Sequence, residues 1–220
     1  MTIQITDVFF SFQGEGLFIG YPQIFVRLYG CNLACDYCDE PDNPSHIKEY
    51  EPEQLADIVK PLYKHKPHSI VLTGGEPLLQ IDGLKTLIPL FKLPVFLETN
   101  GTLPSHLAEI MELISFFSVD YKPDFYHEFI DFIKVLKDKD NVYVKYILKY
   151  NFNILELQQL IKILEHINPN IPLILQPVTP FSKIKRTASL EDIMRAYTLS
   201  SKSIKTVRLI PQTHKRIGIK

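Results

Sequence analysis

The sequence predicts an α/β fold, an incomplete (β/α) barrel with mostly parallel strands. Short apolar runs alternate along the chain with segments of helical spacing, as expected for successive βα units. The chain has 220 residues, fewer than the ~250 of a full eight-fold (β/α) barrel. We find no long linker, low-complexity tract or internal repeat, and we therefore expect a single domain over residues 1–220.

Seven apolar runs are predicted to form the strands. They are almost continuously apolar, which is typical of strands buried on both faces of a sheet. The segment before them, residues 3–10 followed by 14–22, is expected to form a hairpin at the sheet edge. The predicted strands are 24–28, 69–72, 95–97, 116–119, 142–148, 173–175 and 206–209.

The segments between these runs are predicted to be helices, because their apolar residues recur with a period close to 3.6. In the clearest case the residues that roughly follow this period are Leu155, Leu160, Ile163, Leu164 and Ile167. The predicted helices are 53–63, 81–91, 105–114, 124–136, 154–167 and 190–199.

Composition argues against nucleic-acid and membrane partners. The net charge is −1, charged residues make up 22% of the chain, and no long run of like charge occurs. No apolar stretch approaches the ~20 residues that span a bilayer. The first ten residues lack the basic and apolar regions of a signal peptide. We therefore expect a cytoplasmic protein.

The three cysteines of the chain lie within eight residues, Cys31, Cys35 and Cys38, in the spacing C-x3-C-x2-C. Thiolates favour iron–sulfur clusters or zinc. A 4Fe–4S cluster usually takes four cysteines, so three thiolates would leave one iron open for a small chelating molecule. A zinc-binding module that uses His46 as a fourth ligand stays open as an alternative.

Polar and glycine residues follow six of the predicted strands. In a parallel sheet these strand ends meet at one edge, so we expect one shared site there. The alternative is that these segments are polar only because loops generally are. That would account for two or three of them, but it is a weaker explanation for all six. The segments are 29–31, 73–77, 98–101, 120–122, 176–177 and 211–212.

The cysteine motif, with Tyr37 before the last cysteine, resembles that of the radical S-adenosylmethionine (SAM) superfamily. The strand-end sequence TGGEP at 73–77 resembles the superfamily's second motif. The resemblance implies a 4Fe–4S cluster on the three cysteines, SAM at the open iron, and radical cleavage of SAM. Glycines allow close approach of a ligand, and Glu76 is expected to accept from the ammonium group of SAM.

Further segments are similar to the 7-carboxy-7-deazaguanine synthase family: SFQGEG at 11–16, FVRLYGCNLACDYCD at 25–39, LQPV at 175–178 and RLIPQTHK at 208–215. This resemblance implies a lyase that converts 6-carboxy-5,6,7,8-tetrahydropterin to 7-carboxy-7-deazaguanine with loss of ammonia, on the route to preQ0 and queuosine. A glycyl-radical activating enzyme, which shares the cysteine motif, is the alternative.

The resemblance assigns roles to individual residues. Arg27 is expected to hold the substrate carboxylate, since guanidinium binds carboxylates bidentately; a structural salt bridge is the alternative. The substrate-binding candidates are Phe12, Gln13, Gly14, Arg27 and Thr73. The SAM-binding candidates are Tyr37, Cys38, Asp39, Gly75, Ser118 and Gln176.

Position 40 departs from the family pattern, which usually has a threonine that helps to bind Mg²⁺. Glu40 is an acceptable oxygen ligand, so three alternatives are open: it ligates Mg²⁺, it replaces the ion, or no ion binds. The resemblance also implies a flavodoxin or ferredoxin as electron donor and a homodimer.

Overall fold

The structure, a computed structural model, describes residues 2–38, 46–180 and 184–220. In these ranges nine strands form one open sheet, in the order β3-β1-β2-β4-β5-β6-β7-β8-β9. The strands are β1 (Ile3–Phe12), β2 (Pro22–Leu28), β3 (Lys48–Tyr50), β4 (Ser69–Gly74), β5 (Val95–Thr99), β6 (Phe116–Asp120), β7 (Val142–Leu148), β8 (Leu173–Pro177) and β9 (Val207–Leu209).

The predicted fold class is confirmed. The seven strands β2 and β4 to β9 are parallel to one another, and the antiparallel pairs are those of β1 with β2 and with β3. The edge strands β3 and β9 do not pair with each other, so the barrel is incomplete.

The predicted N-terminal hairpin exists, but its second arm was assigned wrongly. β1 pairs with β2, while residues 14–21 form the connecting loop, which contains a 3-10 helix, Gly16–Phe18. The hairpin also does not lie at the edge of the sheet, where it was expected, because β3 pairs with the side of β1 that faces away from β2. Glycines at 14, 16 and 20 favour a loop over a strand.

Most predicted helices form, with shorter α-helical portions. The first two end early and continue as 3-10 turns, Lys60–His65 and Ile88–Leu90, because Pro61 and Pro89 lack the amide hydrogen that an α-helix needs. The helices are α1 (Pro52–Val59), α2 (Ile81–Leu87), α3 (Pro104–Ile110), α4 (Tyr126–Val135), α5 (Ile154–Ile167), α6 (Leu190–Ser200) and α7 (Thr213–Ile217).

Two apolar clusters cover the two faces of the sheet. The larger cluster lies on what we call the helix face and includes Val26, Leu72 and Leu97 together with the buried sides of the helices. The smaller lies on the opposite, inner face, where its buried members are Phe25, Val71, Phe96, Tyr143, Ile174 and Ile210. Successive side chains of a strand alternate between the two faces.

The C-terminal segment returns to β1. The hydroxyl of Ser11 donates to the carbonyl of Lys220 over 2.7 Å, and the Lys220 ammonium pairs with Asp7. These contacts link Lys220 to β1, the first strand in the sequence. None of the helices that the structure describes is long and apolar enough to cross a membrane.

Candidate active site

A layer of polar side chains lies on the inner face, immediately beyond the smaller apolar cluster. Each layer residue stands two positions after a member of that cluster on the same strand, so both side chains point to the same face. The pairs are Phe25 and Arg27, Val71 and Thr73, Phe96 and Glu98, Tyr143 and Lys145, and Ile174 and Gln176. One face therefore collects polar groups from the ends of five strands.

Glu98 lies between two predicted substrate residues. The Gln13 side-chain amide donates to one carboxylate oxygen over 3.0 Å, and the Thr73 hydroxyl donates to the other over 2.7 Å. Burial raises the pKa of Glu98, although the charge of Lys145 opposes the shift. The carboxylate is thus held in a fixed orientation on the inner face.

Gln13 also shapes its own loop. Its side-chain carbonyl accepts from the backbone amides of Gly14, over 2.9 Å, and Glu15, over 3.1 Å. A Cβ at position 14 would lie 2.2 Å from Nδ1 of His214, so only glycine fits. The Thr213 amide donates to the Gly14 carbonyl over 2.9 Å. We call residues 13–16 the Gln13 loop.

Glu15 turns inward from the Gln13 loop and meets Lys145. Its carboxylate lies 2.9 Å from the Lys145 ammonium and accepts from the side-chain amides of Gln212, over 2.8 Å, and Gln176, over 3.1 Å. Burial alone would raise the pKa of Glu15, but the Lys145 charge and these hydrogen bonds outweigh it and lower the pKa to about 2. Glu15 is therefore an anion at neutral pH.

Arg27 lies on β2, in register with Thr73 of β4 and Asp7 of β1. Its guanidinium carbon lies 5.0 Å from the centre of the Phe9 ring, within the range of a cation–π contact. The side chain is half-buried. Its position beside Thr73 places a cation in the polar layer.

The cysteine loop, residues 30–38, follows β2. Cys31 and Cys38 are exposed, Cys35 is half-buried, and all three thiols are free. Within the residues that the structure describes, no three His, Cys, Asp or Glu side chains are gathered in a metal-binding arrangement. The donor set nevertheless fits an iron–sulfur cluster, because three soft thiolates lie within one short loop.

The glycine motif after β4 packs directly on the cysteine loop. The Gly75 amide donates to the Leu28 carbonyl over 3.0 Å, and the Glu76 amide donates to the Gly30 carbonyl over 2.8 Å. Gly74 has φ +109° and Gly30 has φ +91°, a region that favours glycine. The motif therefore joins the two loops through backbone contacts.

The carboxylate of Glu76 faces the protein. It is 0% exposed and accepts from the backbone amides of Leu78 and Asn100, over 3.1 and 2.7 Å, and from the Thr99 hydroxyl, over 2.9 Å. Burial raises its pKa to about 7, against the effect of these hydrogen bonds. The side chain thus fixes the loop after β5, and the expected contact with the ammonium group of SAM stays a prediction.

Asn100 connects this loop with the cysteine loop. Its side-chain amide donates to the Asn32 side-chain carbonyl over 2.8 Å and approaches the Cys31 sulfur at 3.9 Å. Asn32 in turn donates to the Thr102 hydroxyl over 2.9 Å. These contacts orient the first part of the cysteine loop.

Tyr37 anchors the last part of the cysteine loop. The Lys122 ammonium donates to its hydroxyl over 3.0 Å and lies 4.9 Å from its ring centre, while Lys149 lies 5.5 Å from the same ring. Lys149 also pairs with Asp36 at 3.3 Å. Two lysines from the ends of β6 and β7 thus hold the residues before Cys38.

Two other SAM candidates lie deeper on the inner face. Ser118 is 0% exposed and stands in register with Tyr143, at the level of the apolar cluster. Within the described residues, the Ser118 hydroxyl, the Tyr143 hydroxyl and the side-chain carbonyl of Gln176 are buried without a hydrogen-bond partner. Gln176, one level above Ser118, belongs to the polar layer and donates to Glu15.

The remaining candidates fall elsewhere. The Phe12 ring is 47% exposed and packs edge-on against Phe10, which belongs to the helix face, so only the backbone of Phe12 can reach the inner face. Asp39 and Glu40 lie outside the described residues.

Sequence reasoning did not assign roles to Glu15, Glu98 or Lys145. Lys145 carried a usable signal, because it is a lone charge in the apolar run VYVKYIL. A charge at such a position is rarely fully buried unless it is paired. Its partners come from the Gln13 loop and from β6, and those contacts exist only in the folded chain.

The chain is similar to known proteins over its whole length. Residues 25–142 match the Radical SAM superfamily. A 7-carboxy-7-deazaguanine synthase of Geobacter sulfurreducens is 32% identical, over 98% of this chain and 97% of that protein. A protein of the same name from Methanothermobacter thermautotrophicus is 45% identical over 56% of this chain and 50% of its own length.

A solved structure supports the fold. The crystal structure of QueE from Escherichia coli superimposes with a TM-score of 0.67 and 19% sequence identity, over 96% of this chain and 94% of that one.

Proposed function

We propose that this chain, which belongs to the 7-carboxy-7-deazaguanine synthase family within the radical SAM superfamily, converts 6-carboxy-5,6,7,8-tetrahydropterin to 7-carboxy-7-deazaguanine with loss of ammonia. It is a carbon–nitrogen lyase of queuosine and 7-deazapurine biosynthesis. The observation that carries the proposal is the meeting of a three-thiol loop with a polar layer at the same end of one sheet.

The cysteine loop holds the cofactors. Cys31, Cys35 and Cys38 would ligate a 4Fe–4S cluster through their thiolates, and SAM would bind beside it. When bound, this pair supplies the 5′-deoxyadenosyl radical that takes a hydrogen from the substrate. Gly75 is proposed to contact SAM through its backbone, since the space that a side chain would take is filled by Gly30. Tyr37, Cys38, Asp39, Ser118 and Gln176 are proposed to complete the SAM site.

The polar layer would bind the pterin. The amino group and ring N–H of its pyrimidine edge are adjacent donors, and the half-buried carboxylate of Glu98 can accept hydrogen bonds from both. Gln13 and Thr73 hold that carboxylate in place, and the Gln13 amide offers complementary donor and acceptor groups. The proposed role of Arg27 is to pair with the substrate carboxylate. The backbone of Phe12 and Gly14, on either side of Gln13, would line the pterin site.

The Gln13 loop would exclude water from the reaction. It is tied to the C-terminal segment by the bond from Thr213 to Gly14 and by the close approach of His214. Within the loop, Glu15 is held by Lys145 and two glutamines. A loop fixed at both ends can cover a ligand on the inner face without large motion.

Several finer points belong to the proposal. Glu40 would contribute to Mg²⁺ binding if the ion is required. A flavodoxin or ferredoxin would supply the electron, and free thiols suit a cytoplasmic location. We also propose a homodimer and a single domain; the one continuous sheet of the described residues supports the latter.

Anaerobic turnover tests the function. The protein reconstituted with iron and sulfide is given SAM, a reductant and the carboxypterin, with and without Mg²⁺, and 7-carboxy-7-deazaguanine is measured by mass spectrometry. We expect product without any partner polypeptide. Absence of product in all conditions would refute the proposal.

The same preparation separates the two alternatives. A glycyl-radical activating enzyme would cleave SAM only with its protein substrate and ignore the pterin. A zinc-binding module would contain zinc and no acid-labile sulfide. We expect close to four iron and four sulfide per chain, in line with a 4Fe–4S cluster.

A further inference from the structure

Lys145 forms the centre of a chain of alternating charges in which the lysines are buried and the carboxylates, Glu15 and Asp120, are half-buried. Its ammonium lies 2.9 Å from Glu15 and 3.1 Å from Asp120, and its side chain is 7% exposed. Asp120 is the strand neighbour of Lys145 in the parallel register of β6 and β7. One cation therefore holds two carboxylates that come from different parts of the chain.

The chain of charges continues to the cysteine loop. The second oxygen of Asp120 lies 3.1 Å from the Lys122 ammonium, whose side chain is 10% exposed. Lys122 then donates to the Tyr37 hydroxyl over 3.0 Å. A continuous path of contacts thus runs from Glu15 in the Gln13 loop to Tyr37, the residue before Cys38.

Every charge on this path is satisfied. Glu15 accepts two amide hydrogen bonds besides the lysine contact. Opposing carboxylates raise the pKa of both Lys145 and Lys122 against the effect of burial, and Lys145 and Lys122 lower that of Asp120. The four charged groups of the path, Glu15, Lys145, Asp120 and Lys122, are therefore ionised at neutral pH.

Stability alone is a poor explanation for such an arrangement. Removing charges from water is costly, and apolar side chains of similar volume often stabilise a core equally well. The layer below is mostly apolar: Tyr143 stands two residues before Lys145 in the smaller apolar cluster, and Ser118 is the polar residue at the same level on β6. A fully paired ionic network does fix geometry, because each group accepts only a few partner positions.

We propose that Lys145 is a positioning residue that fixes the Gln13 loop relative to the cysteine loop, and so sets the distance between substrate and SAM. The inference rests on the proposed function, which assigns the substrate to one loop and SAM to the other. Displacement of reacting groups by about 1 Å can lower a rate by ~10²-fold. The expected signature is therefore SAM cleavage that no longer leads to product.

The test compares three variants of the reconstituted holoenzyme. Lys145→Met removes the central charge and keeps much of the side-chain length. The double variant Glu15→Gln/Lys145→Met also removes one unpaired carboxylate, which protects folding because Asp120 keeps Lys122 as its partner. Lys139→Met is the matched control, since it breaks a lysine–glutamate pair with Glu112 far from the site.

Three quantities are measured for each variant: the ratio of accumulated 5′-deoxyadenosine to 7-carboxy-7-deazaguanine, the pterin dissociation constant by calorimetry, and the melting temperature. Because the family is expected to regenerate SAM, the wild-type ratio should be low. We expect the ratio to rise at least about ten-fold in both Lys145 variants, in keeping with misplaced reacting groups, and to stay at the wild-type value in Lys139→Met.

The outcomes separate the inference from the function. Product from the wild type with an unchanged ratio in the folded double variant would overturn the positioning role, whatever the melting temperature. No product from the wild type would instead refute the proposed function. An increased ratio together with retained pterin binding would support the inference, since a purely structural role would lower activity without altering the ratio.

Discussion

Gly75 approaches Gly30 so closely that a Cβ at position 75 would lie 2.0 Å from the Gly30 carbonyl oxygen. The contact is between two backbones, so neither side can turn away as a flexible side chain could. It joins the glycine motif after β4 to the first residue of the cysteine loop. The glycine is therefore required by packing between loops, independently of any contact with SAM.

The first prediction follows from this contact. Gly75→Ala should push the two loops apart and destabilise the protein by about 1–3 kcal/mol, the usual cost of overpacking, and it should lower the iron content after reconstitution. Chemical denaturation and an iron assay measure the two effects. Gly20→Ala is the control, because position 20 has φ +86° but open space around it. Normal iron content in Gly75→Ala would contradict the prediction.

The second prediction concerns Glu98. In Glu98→Gln one acceptor oxygen becomes an NH₂ group, which cannot accept from the second of the two adjacent donors on the proposed pterin edge. Loss of a hydrogen bond to a charged group is worth about 1.5–3 kcal/mol, so we expect pterin affinity to fall by at least about ten-fold. Calorimetry with the pterin and with SAM checks the result.

SAM affinity should be unchanged in Glu98→Gln, since the carboxylate contacts only the substrate side of the layer. Glu112→Gln, at an exposed surface pair, serves as the control. Equal pterin binding by Glu98→Gln and the wild type would remove the role assigned to this carboxylate.

The third prediction concerns Arg27. Arg27→Ala should weaken pterin binding far more than SAM binding, because a desolvated charge pair is worth ~2–5 kcal/mol when one partner is removed. Arg186→Ala is a well-matched control: its guanidinium also stacks on an aromatic ring, at 5.1 Å from that of Tyr150. If the two variants bind the pterin equally well, Arg27 does not hold the substrate carboxylate.

The fourth prediction is a pH dependence of stability that comes from Glu76. Its pKa in the folded protein is about 7, above its ordinary value of 4.5. The folded state therefore binds a proton that the unfolded state has lost between these two pH values, and stability falls as pH rises through this window. The pKa difference corresponds to about 3 kcal/mol.

Urea denaturation of the wild type and Glu76→Gln at several pH values tests this sign. The stability of the wild type relative to the variant should decline from about pH 4.5 to about pH 7 and then level off. A difference that stays constant across this window would show that Glu76 does not titrate there.

The sequence by itself determined the alternation of strands and helices and the thiol cluster of Cys31, Cys35 and Cys38. Both are local properties, readable from apolar periodicity and from the spacing of rare side chains. The shortened helices were also readable, since Pro61 and Pro89 stand inside the predicted ranges. The edge position of β3 was not, because a three-residue strand gains its stability from pairing with β1.

Only the tertiary structure decided which polar residues meet. Glu15 and Lys145 are 130 positions apart, and their contact depends on how the loop after β1 crosses the inner face to reach β7. A sequence motif records which residues are present, whereas the pKa and orientation of a buried charge depend on partners brought together by folding. The polar layer is for that reason a product of sheet register, with each polar residue one pleat beyond an apolar one.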